Sequence, residues 1–270
     1  MMYKLIALDM DGTLLRKDKT ISERTFNALQ AARERGVKVV LSTGRPVMGI
    51  RNYLDYLGLN EDDEYAITFN GSAVQTGKSG NMLFQKFMTG KDLHRIYKLS
   101  QEHDLNIHAF DKNGRLITPK ANKYTDVEAE INKIQVQVED FNNIKYDDKI
   151  IKVMIVDEPE KLDKLEKNMP KEYSADYSIM RSASIFLEFL KPGINKSIGL
   201  SVLSEHLNIA KEEIIAVGDA DNDIAMIKYA GLGVAMDNAF PQVKEAADYI
   251  TSSNNDDGVA EVIEKFILGK

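Results

Sequence analysis

Two aspartates stand two residues apart in the run Asp9-Met10-Asp11-Gly12-Thr13, directly behind the apolar stretch Tyr3 to Leu8. Carboxylates there could ligate a cation, attack an electrophile or move a proton, because ligands of doubly wound sheets bind beyond the carboxyl ends of the strands. If strand geometry persisted, period-two alternation would turn Asp9 and Asp11 to the same side. Asp and Gly also favour plain turns, so this segment by itself leaves both readings open.

Three other segments carry similar potential. Leu41-Ser42-Thr43-Gly44-Arg45-Pro46 puts a hydroxyl and a glycine ahead of a helix start, a natural phosphate cradle, although Thr43 could equally be a helix cap. Lys196 lies near the start of a helix, where a cation opposes the helix dipole by ~0.3–1 kcal/mol unless an anion is bound. Val217-Gly218-Asp219-Ala220-Asp221-Asn222-Asp223 has carboxylates at alternate positions. An EF-hand needs Gly at its sixth position and Glu at its twelfth, but counting from Asp219 these are Ile224 and Ala230. A Mg²⁺ site suits the run better, since that ion takes one or two protein carboxylates and completes its shell with water and phosphate oxygens.

The elements that must position these residues follow from hydrophobic patterning. Tyr3–Leu8, Val37–Leu41 and Tyr65–Phe69 read as largely apolar buried strands, and Ile214–Val217 and Leu232–Met236 are continuous apolar runs, as expected of strands covered on both faces. Between them lie helical patterns: one capped by Ser22, with Phe26, Leu29 and Ala32 on one face and its end at Gly36, then Pro46–Leu57, Asn195–His206, Asp223–Tyr229 and Val259–Leu268. Strands alternating with helices imply a parallel sheet with right-handed crossovers, an α/β doubly wound core. Residues 85–192 have a different texture, with strand-like Leu105–Phe110, Ile150–Val156 and Ile185–Leu190 separated by Asn- and Asp-containing turns. The expected organisation is a core of residues 1–84 plus 193–270, interrupted by an inserted α+β domain at 85–192.

Composition narrows the chemistry. The 270 residues carry 35 Lys and Arg against 42 Asp and Glu, a formal net charge of −7, which gives no electrostatic footprint for nucleic acid or an anionic membrane. With no cysteine, thiolate metal sites, disulfides and cysteine nucleophiles are excluded. The four histidines, His94, His103, His108 and His206, lack zinc-ligand spacing and read as surface or structural residues. Neither a P-loop nor a G-x-G-x-x-G fingerprint occurs. The apolar start is too short for a signal peptide and no run could span a bilayer, so a soluble, cytoplasmic protein is expected.

Taken together, DMDGTLL at 9–15, LSTGRP at 41–46, FNGS at 69–72, the lysine of NKSIGL at 195–200, GDADNDIAM at 218–226 and GVAMDNA at 233–239 resemble the haloacid dehalogenase (HAD) superfamily, most closely its Cof-type sugar-phosphate phosphatases. That resemblance implies a Rossmann-like core with a C2-type cap at 85–192, and hydrolysis of small phosphate monoesters through an aspartyl-phosphate. It implies Asp9 as nucleophile and Asp11 as general acid/base. Mg²⁺ would be held by Asp9, the Asp11 carbonyl and Asp219, with Asp223 supporting them. Met10, Thr43, Gly44, Lys196 and Asn222 would hold the phosphate. Arg45 is a candidate contact to the rest of the substrate. A phosphomutase using the same intermediate, and a non-catalytic phospho-acceptor module, are the alternatives. The expected partner is a small phosphorylated metabolite, not nucleic acid or membrane.

Overall fold

The computed structural model describes residues 2–270. The chain forms two compact units. One runs up to Val47 and takes in Arg51–Phe84 and Asn195–Lys270; the other comprises Met48–Ile50 and Gln85–Ile194.

The first unit is built on an eight-stranded sheet in the spatial order Tyr249–Ile250, Leu232–Ala235, Ile214–Gly218, Leu5–Leu8, Lys38–Ser42, Tyr65–Thr68, Ala73–Thr76, Met82–Gln85. The strands from Tyr249–Ile250 to Tyr65–Thr68 are parallel, and Ala73–Thr76 returns antiparallel. The chain winds outward from Leu5–Leu8 in one direction and then restarts on its other flank with Ile214–Gly218. The topological switch point, where such folds bind ligands, therefore lies at the carboxyl end of Leu5–Leu8. Every residue of that strand is buried.

Alternation along the strand decides what each residue meets. Leu5 and Ala7 join Val40, Ile67, Ala216 and Met226 in a cluster completed by Leu200 and Leu203 of the helix Lys196–His206. The next residue on the same face is Asp9, so the first residue of that helix, Lys196, is brought against it.

Local signals account for most helix boundaries. Ser22 caps the helix Glu23–Glu34 by accepting from the Thr25 amide at 3.0 Å, and Gly36 terminates it at φ +79°, where an L side chain would be strained. Its buried face is Thr25, Ala28, Leu29 and Ala32; Phe26 is only half-buried, tilted against Tyr56 at 5.0 Å. The segment expected to be one helix from Pro46 opens instead with a 3-10 turn, Val47–Ile50, before the α-helix Arg51–Leu57. Likewise a 3-10 turn, Asp221–Asp223, precedes the helix Ile224–Tyr229.

The second unit carries a mostly antiparallel sheet in the order Ser178–Ala183, Phe186–Leu190, Lys149–Val156, Asn106–Asp111, Leu116–Thr118, Val136–Val138. One face, with Ile107, Ala109, Val153, Ile155, Leu187 and Phe189, packs on Leu93, Ile96, Leu99, Leu162 and Leu165 from two helices. The other face carries buried polar groups: Lys152 lies 3.1 Å from Glu188 and 3.9 Å from Glu128. His108 shares hydrogen bonds with the Thr125 hydroxyl and the Met154 sulfur. Burial, aided by the Lys152 charge, pushes the His108 pKa down to about 3.

A folded-state pKa below the unfolded value means that the unfolded chain binds this proton first. His108 therefore removes stability as pH falls below ~6.5, by about 2 kcal/mol at pH 5. Urea titrations at pH 7 and pH 5 should show His108→Gln losing less stability than the parent by about that amount; equal losses would contradict a buried neutral imidazole.

Candidate active site

The first strand ends at Leu8, and the chain turns at once, with the Leu15 amide donating to the Met10 carbonyl at 2.8 Å. Strand geometry does not persist, and the two aspartates engage different partners. The Lys196 ammonium donates to Asp9 Oδ1 at 2.5 Å and to Asp223 Oδ1 at 2.6 Å, all three residues being buried. Asp223 Oδ2 accepts from the amides of Asp219 and Ala220 at 2.9 and 3.0 Å, so this carboxylate shapes the loop that carries Asp219. Gly218 makes that closure possible, since a Cβ there would overlap the Asp223 side chain.

Thr13 donates through its hydroxyl to Asp219 Oδ1 at 2.6 Å, and Gly12 (φ +92°) passes so close to Asp219 that any Cβ would overlap its carboxylate. Carboxylate oxygens of Asp9, Asp219 and Asp223 lie within 4.8 Å of one another. Burial, together with Asp223 and Asp219, drives the Asp9 pKa well above the usual carboxylate range against the pull of Lys196. Burial and Asp223 push Asp219 up to about 6, against the Thr13 hydrogen bond. Burial disfavours the Lys196 ammonium, yet Asp223 and Asp9 hold its pKa above the ordinary value. Three carboxylates thus face one ammonium. An all-oxygen set with this excess of negative charge fits a hard divalent cation, which would relieve the repulsion.

Asp11, half-buried, is gripped by Arg45, whose Nε and Nη2 donate to its two oxygens at 2.7 Å each, and by Lys19 at 2.7 Å. Burial opposes ionisation here, but these two cations win and hold the Asp11 pKa below its usual value. Arg45, considered for substrate contact from the sequence, is buried and pairs with Asp11. Met10 lies wholly in the core, and its carbonyl accepts the turn amides of Thr13 and Leu15.

Thr43 and Asn222 are tied together through a residue to which the sequence assigned no role. The Asn70 amide donates to the Thr43 carbonyl at 2.9 Å, and Asn70 Oδ1 accepts from Asn222 Nδ2 at 2.9 Å. Gly44 faces the same side chain, its missing Cβ 3.1 Å from Asn70 Nδ2. Thr13, Lys19 and Asn70 are the functional candidates that sequence reasoning left without a role; Thr13 lay in the DMDGTLL segment and Asn70 in FNGS, whereas nothing marked Lys19.

The family profile of the haloacid dehalogenase-like hydrolases matches residues 6–263, nearly the whole chain. The chain belongs to this family. Among its HAD relatives, Bacillus subtilis YxeH is 39% identical over 271 residues, covering all of both chains. The 5-amino-6-(5-phospho-D-ribitylamino)uracil phosphatase YcsE of Bacillus subtilis is 36% identical over 265 residues, covering 98% of this chain and 96% of its own. A solved haloacid dehalogenase-like hydrolase from Bacteroides thetaiotaomicron superposes with a TM-score of 0.86 at 36% identity, over 97% of this chain and 99% of that one. The HAD chain is accordingly an enzyme, a phosphatase. Among the described residues, no helix is long and apolar enough to cross a membrane.

Proposed function

We propose that the protein is a Mg²⁺-dependent, cytoplasmic phosphatase that hydrolyses phosphate monoesters of small metabolites, sugar phosphates foremost, through an aspartyl-phosphate on Asp9. The observation that carries this reading is the buried Lys196 ammonium held between Asp9 and Asp223 at the switch point of the sheet. A cation at the first residue of a helix, wholly out of water, is unfavourable unless it serves anions.

Uncatalysed phosphate-ester hydrolysis needs accelerations of up to ~10²¹, about 29 kcal/mol, and a positioned acid supplies only ~10²–10⁴. Several effects must therefore combine. A divalent ion held by Asp9, the Asp11 carbonyl and Asp219 would neutralise charge on the transferring phosphoryl group. Lys196 lowers the repulsion between the Asp9 carboxylate and the phosphate dianion and stabilises the equatorial oxygens. Asp9 attacks phosphorus as the ester P–O bond breaks, and Asp11 gives a proton to the departing alkoxide. Asp11, now a base, takes a proton from the water that cleaves the aspartyl-phosphate, which restores Asp9. To act first as an acid, Asp11 must release Arg45 and Lys19, whose charges favour its ionised form. Thr43, Gly44, Asn222 and Met10 are assigned to the phosphate. Residues 85–192 are assigned the role of a C2-type cap selecting the leaving group. YcsE acts on a phosphorylated ribityl compound, which supports a polyol or sugar phosphate as substrate class.

The test is phosphate release from a panel of phosphorylated metabolites. Release from several hexose and pentose phosphates with Mg²⁺, abolished by chelation and restored by metal, is expected. Interconversion of hexose 1- and 6-phosphates without net phosphate release would instead indicate a mutase.

A further inference from the structure

The turn after the strand Tyr65–Thr68 is built in an unexpectedly costly way. Thr68 and Ala73 are directly paired across the antiparallel ladder, so four residues, Phe69 to Ser72, make the connection, and all four are buried. Phe69 (φ +51°) and Asn70 (φ +54°) both occupy the left-handed region. Such a conformation costs a non-glycine residue of order 1–3 kcal/mol and persists only where its surroundings demand it. Asn tolerates it better than most residues.

The surroundings name the demand. This turn reaches every segment assigned above to the phosphate apart from Met10. Phe69 and Asn70 donate their amides to the carbonyls of Arg45 and Thr43, which fixes the Thr43–Arg45 backbone. The Asn70 side chain accepts from Asn222 and lies against Gly44. Gly71 (φ +92°) approaches Asn195 and Lys196 so closely that a Cβ would overlap the Asn195 carbonyl. Three segments far apart in the chain thus meet around one buried turn, two of them at the Asn70 amide and the third at Gly71.

We propose that Asn70 is a positioning residue of the phosphate cradle. Its Oδ1 orients the Asn222 amide, and its left-handed backbone sets the spacing between the Thr43–Gly44 turn and the Lys196 helix. This rests on the phosphatase reading and adds a residue that binds no phosphate itself. A purely conformational role predicts something different, because glycine adopts the left-handed region at no cost and would then replace Asn70 without loss.

Asn70→Gly keeps the backbone and removes only the amide. We expect it to unfold close to the parent's midpoint, to bind inorganic phosphate in the presence of Mg²⁺ about tenfold more weakly, and to raise KM more than it lowers kcat. A double-mutant cycle gives the sharper readout. Asn222→Ala should weaken phosphate binding in the parent and add little in the Asn70→Gly background. Full additivity, or parental phosphate affinity in Asn70→Gly, overturns the proposal. Asn70→Asp retains the accepting oxygen, so Asn222→Ala must still weaken phosphate binding there; loss of that effect overturns the proposal even if the glycine variant does not fold. Failure of the parent itself to bind phosphate would instead remove the phosphatase reading on which the proposal stands.

Discussion

Asp9→Asn should release no measurable phosphate, a loss of at least ~10⁴-fold, since removal of a covalent nucleophile has effects of this size or larger. The same variant should unfold at a higher temperature than the metal-free parent. Asp9 is buried beside Asp219 and Asp223, and its pKa lies well above the usual carboxylate range. At neutral pH its ionised form therefore works against folding. An amide of the same shape removes that repulsion, and Asp223 still partners Lys196. Added Mg²⁺ should raise the melting temperature of the parent more than that of the variant, because only the parent regains stability by neutralising the cluster. Residual turnover above ~10⁻⁴ of the parental rate, or a lower metal-free melting temperature, would contradict the assignment. Loss of function with a gain of stability is the pattern expected of a strained catalytic site.

Lys196→Met should have the opposite effect on stability. Asp223 is fully buried and Asp9 nearly so, and both depend on the one ammonium. Removing one member of a buried ionic set leaves the other charges uncompensated, at a cost of about 3–5 kcal/mol. For a chain of this size each kcal/mol lowers the melting temperature by ~2–4 °C. Turnover should fall by ~10²–10³ or more, the cost of losing one preorganised electrostatic contact to the transition state. Asp223→Asn in the same background should restore part of the stability and none of the activity. Denaturant unfolding decides the matter: stability within about 1 kcal/mol of the parent would mean that the triad is not held by charge.

The strands that frame the site were legible because their signal is local. Leu5–Leu8, Lys38–Ser42 and Ile214–Gly218 lie inside a parallel sheet, and such strands announce themselves by dense apolar stretches, here LIAL, VVL and IIAV. Ser22 and Gly36 marked a helix through chemistry contained within a few residues. Shorter elements escaped. The helix Pro241–Ala246 and the two-residue strand Tyr249–Ile250 are too brief for any periodicity to register, and the antiparallel strands after Asn70 carry no distinctive pattern. The 3-10 opening at Val47–Ile50 likewise has no local signature of its own.

From the sequence alone came the residue types that do chemistry and their attachment to strand ends, since a motif and the strand before it are contiguous in the chain. Tertiary structure alone decided who meets whom. Thr13 reaches Asp219 across 206 positions, Lys196 reaches Asp9 across 187, and Arg45 reaches Asp11 across 34. Those pairings depend on which strands become neighbours and where the chain reverses direction within the sheet. That choice is made by burial of whole faces, so no short stretch of the chain contains it.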